Sequence, residues 1–127
     1  MRAMINITNQ QFSDMLKRAI DSIPPAYGKK IANVAFVLED SPSEEQRASV
    51  NLGSHQTLFG LYQGIPLTKR GSGYNLVLPD KITIFRQPIM QASSDIIEAQ
   101  HIISKTVWHE VAHYFGLDHE QINKLER

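Results

Sequence analysis

The chain has 127 residues, 13 basic and 13 acidic, and 42% of it is hydrophobic. That length suits one compact domain, residues 1–127, and the balanced charge offers no broad field for nucleic acid or anionic lipid. The absence of cysteine excludes disulfides and thiolate-ligated metal. No signal-peptide-like apolar run opens the chain and no stretch is apolar enough to span a bilayer, so a cytoplasmic protein without a membrane partner is expected.

Thr8, with Gln11 three residues on, forms a capping-box signature for a first helix. Phe12, Met15, Leu16, Ala19, Ile20 and Ile23 recur at helical spacing, and Pro24 and Pro25 stop the run because neither donates a backbone hydrogen bond. After a turn at "YGKK", "IANVAFVLE" is β-branched and apolar at both alternating positions, which predicts a strand buried on both faces. "DSPSEEQRASVNLGSHQ" is polar and turn-rich, expected as a mobile surface loop. "TLFGLYQ" suits a short strand. "TKRGSGYN" reads as a loop, and "YNLVL" and "KITIFR" as strands around a Pro79-Asp80 turn. Asp95 caps a long last helix, with Glu98 at the reciprocal position of a capping box. Its apolar stripe is Ile96, Ile97, Ile103, Val107, Trp108, Val111 and Phe115. Gly116 ends it, and Asp118 caps a short helix over roughly 119 to 126. Strands between an N-terminal and a C-terminal helix make the class α+β.

Within the last helix lies "HEVAHYFGLDH". His109 and His113 stand four residues apart, so two imidazoles emerge side by side, directed away from the apolar stripe and sharing a face with Glu98, Ile102 and Lys105. Two such nitrogens can hold one zinc ion. Glu110 flanks the pair, where a carboxylate can take a proton from water. A sharp turn at Gly116 lets His119 fold back as third ligand, leaving the open position of a catalytic zinc; Asp118 and Glu120 are oxygen donors one residue away from it. A solvated pair of histidines is the bland alternative. Yet the five-residue motif with the later glycine and histidine arises by chance in only about a few chains per million. His55 and His101 match no ligand spacing and read as surface residues.

This motif matches the HExxHxxGxxH pattern of zincin metallopeptidases. With "GLYQGIPLTKR" and "LPDKITIFRQPI", the chain resembles a family of short bacterial zincin-like proteins. The resemblance implies a minimal zincin-like fold: a small mixed β-sheet packed with an N-terminal helix and a C-terminal HExxH active-site helix. It also implies a zinc-dependent peptidase acting on peptide or protein substrates, with His109, Glu110 and His113 at the matching positions. True metzincins add a methionine turn and a lower subdomain. Here eight residues follow His119, none of them methionine, so a second copy or a partner completing the cleft is expected. For a transition-state hydrogen-bond donor the candidates are Tyr62, Tyr74, Arg86 and Tyr114. The rival reading is a zinc-binding interaction module that does no chemistry.

Overall fold

Thr8 opens the first helix as its sequence requires. In a computed structural model describing residues 4–50, 57–64, 80–117 and 120–121, its hydroxyl accepts the Gln11 N–H (3.1 Å) and Gln11 returns the bond to the Thr8 N–H (2.8 Å). Helix α1 (Asn9–Asp21) buries Phe12, Met15, Leu16 and Ala19 and packs along the last helix, α5 (Ile96–Tyr114). A single turn, α2 (Pro25–Gly28), follows; Tyr27 from it meets Trp108 and Phe115 edge-on at 5.2 and 5.3 Å.

Among the described residues three strands form one mixed sheet in the order β1 (Val34–Glu39), β3 (Asp80–Phe85), β2 (Gly60–Gln63). β1 runs parallel to β3, with Phe36 opposite Ile82, and β2 runs antiparallel to β3, with Tyr62 opposite Ile82. This topology reverses one expectation. Among the described residues β1 is an edge strand, and it is only half-buried along its length. The strand covered on both faces is β3, where Ile82, Thr83, Ile84 and Phe85 are wholly enclosed. Apolar composition alone cannot say which strand has two neighbours. Asp80 is the first residue of β3 rather than part of a turn; "TKRGSGYN" and "YNLVL" lie outside the described residues.

Two helices depart from the sequence-based expectation. The polar segment expected as a mobile loop contains α3 (Glu44–Ser49), opened by a second capping box between Ser43 and Gln46. None of its residues is buried, so no apolar stripe announces it. α4 (Arg86–Ala92) follows β3 without a break, so Arg86 begins a helix instead of ending a strand. Pro88 falls in the first turn of α4, where a missing N–H costs nothing.

α5 starts at Asp95, whose carboxylate accepts the Glu98 N–H (2.8 Å). Glu98 completes only a shifted box: it takes the N–H of Ser94 (2.7 Å). The buried side is Ala99, Ile103, Val107, Val111 and Tyr114, whereas Ile96 and Ile97 are exposed. The predicted stripe therefore fails at the first turn, which extends beyond the core, and holds further along.

Candidate metal centre

His109 and His113 are half-buried on α5, outside its core-facing side. Their rings lie 4.8 Å apart at 71°, the proximity that helical i, i+4 spacing imposes. Glu110 does more than flank them. One ligand atom from each of His109, Glu110 and His113 falls within 4.8 Å of the others, a spacing that could hold one metal ion. Two imidazole nitrogens are donors suited to zinc, and the carboxylate beside them supplies a proton acceptor next to the ion's place. By its chemistry and its spacing, the cluster fits the ion the motif implies.

The carboxylate of Glu110 is not surface charge. The residue is 9% exposed, and Oε1 accepts the backbone N–H of Tyr62 in β2 at 2.9 Å. Burial disfavours the ionised form and raises the carboxyl from 4.5 to about 7, an effect only partly opposed by the Tyr62 N–H. Such a group sits near neutrality, where it can both accept and release a proton.

The approach of β2 to α5 depends on Gly60. A Cβ there would lie 2.6 Å from Thr106 Cγ2 and 3.1 Å from the Thr83 carbonyl. Without that atom the strand sits against the helix and Tyr62 reaches Glu110. No sequence pattern points to this contact, because a backbone N–H carries no residue signature. Beside the cluster lies a cleft of about 500 Å³ between α5 and residues 57 to 60, with His109 and Glu110 in its lining.

Past His113 the helix closes as expected. Gly116 takes φ 78°, its N–H reaches the His113 carbonyl (2.9 Å) and the Leu117 N–H reaches that of Ala112 (3.0 Å). This pair of bonds is a Schellman ending, and it turns the chain sharply away from the helix axis. His119 and Asp118 lie outside the described residues, as do His55, Tyr74 and most of the short helix expected over 119 to 126. The other candidate donors are committed elsewhere. Tyr62 gives its hydroxyl proton to Asp80 (2.7 Å), Tyr114 bonds the backbone of Ala32, and Arg86 pairs with Asp40 and Asn9.

The sequence model of the zincin-like metallopeptidases matches residues 31–127, a span that contains every residue of the cluster. The chain belongs to the zincin-like metallopeptidase family. A comparison with curated protein sequences finds no match. Among solved structures, a conserved hypothetical protein from Thermo thermophilus superposes with a TM-score of 0.58 at 16% identity, over 86% of this chain and 94% of that one. At that identity the likeness concerns the fold. The zincin-like assignment agrees with the mixed sheet, the small size and the C-terminal helix carrying His109, Glu110 and His113.

Proposed function

We propose that this protein is a zinc-dependent peptidase in which His109, His113 and His119 hold the ion and Glu110 is the general acid and base. The observation that carries the reading is Glu110: a carboxyl buried against Tyr62, raised to about 7, within 4.8 Å of both imidazoles. A merely structural glutamate on a helix surface has no need of that placement.

Zinc bound there would act as a Lewis acid, polarising the scissile carbonyl and acidifying water. Glu110 takes the proton from the attacking water and passes it to the leaving amine, so its carboxyl ends the cycle as it began. The Tyr62 N–H holds the carboxylate in one orientation during both transfers. The Schellman turn at Gly116 ends the helix three residues before His119, and a redirection of the chain there is what His119 needs to serve as a ligand.

An extended substrate is served by β2, since β3 has a strand on each side. The Phe59 carbonyl accepts from Phe85 in β3 (2.9 Å), so by the alternation of a strand the backbone groups of Leu58 and Gly60 face the other way. Among the described residues no strand pairs with that edge, and it borders the cleft. A peptide laid along it gains main-chain hydrogen bonds beside the cluster.

Zinc titration and hydrolysis of a broad peptide library test the proposal together. One zinc per chain is expected, with Glu110→Gln retaining it and losing at least about 100-fold in turnover. Equal inertness of wild type and variant, both zinc-loaded, would favour a binding module instead.

A further inference from the structure

The cleft beside the cluster is apolar on one side and cationic on the other. Leu58 and Phe59 from the segment leading into β2, with Ile102 from α5, supply half-buried hydrocarbon wall. His101 and Lys105 stand on α5 at four-residue steps before His109, so the three form one inclined row along the helix and all line the same cleft. Each step rises about 6 Å along the axis. The Lys105 ammonium is therefore within side-chain reach of a group bound next to the cluster.

Lys105 has no carboxylate partner among the described residues. Glu98, on the same helix face two turns earlier, is turned back onto the Ser94 N–H. Among the described residues Glu110 is the one carboxylate in the cleft lining, and its Oε1 is held by Tyr62. The Thr106 hydroxyl donates to the Ile102 carbonyl (2.7 Å). What the described lining offers to a ligand is thus a hydrocarbon wall beside an ammonium that has no carboxylate partner among the described residues, with an imidazole donor one turn further.

We infer that this cleft selects peptides bearing a carboxylate adjacent to the scissile bond, with Lys105 as the specificity-determining residue and His101 as a supporting donor. A glutamate fits best: its methylenes lie against Leu58, Phe59 and Ile102 while its charge meets Lys105. A terminal α-carboxylate presents the same chemistry, and the two sources are separable by experiment. The inference rests on the peptidase reading for the position of the scissile bond, but recognition of the carboxylate can be measured without turnover.

The test is equilibrium binding of short peptides by fluorescence anisotropy, using Glu110→Gln protein with and without zinc so that no peptide is consumed. Glutamate and its isostere glutamine are scanned through every position of a peptide blocked at both ends, and each peptide is repeated with a free C-terminus. At one position glutamate is expected to bind about fivefold more tightly than glutamine, the upper range for a solvent-accessible ion pair. Lys105→Met should erase that margin, and Lys105→Glu should transfer it to a lysine-bearing peptide. A gain confined to free C-termini assigns the recognised group to the chain end. Equal binding of glutamate and glutamine peptides in every format, no binding at all, or a margin that survives Lys105→Met overturns the inference. Cleavage of the same peptides by wild type is scored separately. Hydrolysis with no acidic preference removes this inference and leaves the peptidase; an acidic binding preference with no hydrolysis does the reverse.

Discussion

Glu110 holds its proton near neutrality because burial outweighs the single backbone N–H that favours its charge. The sign of the consequence follows from linkage. In the metal-free protein the folded state binds this proton more tightly than the unfolded chain does. The stabilisation is therefore complete below about pH 4.5 and is lost as pH rises through about 7, a fall on the order of 3 kcal/mol. Urea denaturation in a chelating buffer, run across that window, should show a decline in wild type that is smaller by about that amount in Glu110→Gln. A slope shared by both proteins would mean that the carboxyl is not the group being titrated. Asp80, also a buried acid, has a different role: it accepts the Tyr62 hydroxyl (2.7 Å) and ties β2 to the start of β3.

At the scale of elements, the site depends on how closely one short strand meets one helix. Gly60→Ala places a methyl 2.6 Å from Thr106 Cγ2. Overpacking of this kind costs roughly 1–3 kcal/mol and displaces the strand, so a lower Tm and a weaker hold on Glu110 are expected together. Adding Thr106→Ser, which deletes the offending methyl, should restore part of the melting temperature. If the double variant melts no higher than Gly60→Ala alone, the clash lies with the sheet and not with α5. The start of α5 is a separate matter. Asp95→Ala removes the acceptor of the Glu98 N–H and should destabilise by about 1 kcal/mol, with zinc affinity nearly unchanged because the histidines stand more than three turns away. Thermal melts and zinc titration on one preparation check both halves.

For the whole molecule, a bound metal would be coupled to the fold by mass action. An ion that binds the folded chain at about 100 times its Kd adds about 2.7 kcal/mol. Zinc should therefore raise Tm by several degrees, and the His109→Ala, His113→Ala double variant should show no such rise in differential scanning calorimetry. A thermal response to zinc that survives the double variant would place the ion elsewhere. The sheet is small, three strands among the described residues, and α5 packs against α1, α4, β2 and β3. This one helix is thus both the centre of the core and the carrier of the site. Substitutions on its buried face, such as Val107 or Val111, should lower stability and metal affinity in parallel.

Local rules carried a good part of this architecture. The Thr8 and Asp95 caps, the stop at Gly116 and the paired histidines on the outer side of α5 all follow from spacing, because each is settled within a few residues of backbone. The capping box at Ser43 is equally present in the sequence, but without an apolar stripe it cannot be told from a polar loop. Strand order lies beyond local rules: β1 and β3 are both apolar, and only the packing makes one an edge and the other the centre among the described residues. The same holds for Glu110. Its motif is readable from residues 109 to 113, while its burial, its elevated pKa and its bond to Tyr62 arise from a strand nearly fifty residues earlier in the chain. Chemistry encoded in neighbouring side chains can be read directly. The environment that tunes it is made by segments brought together only on folding, and so was decided by the tertiary structure.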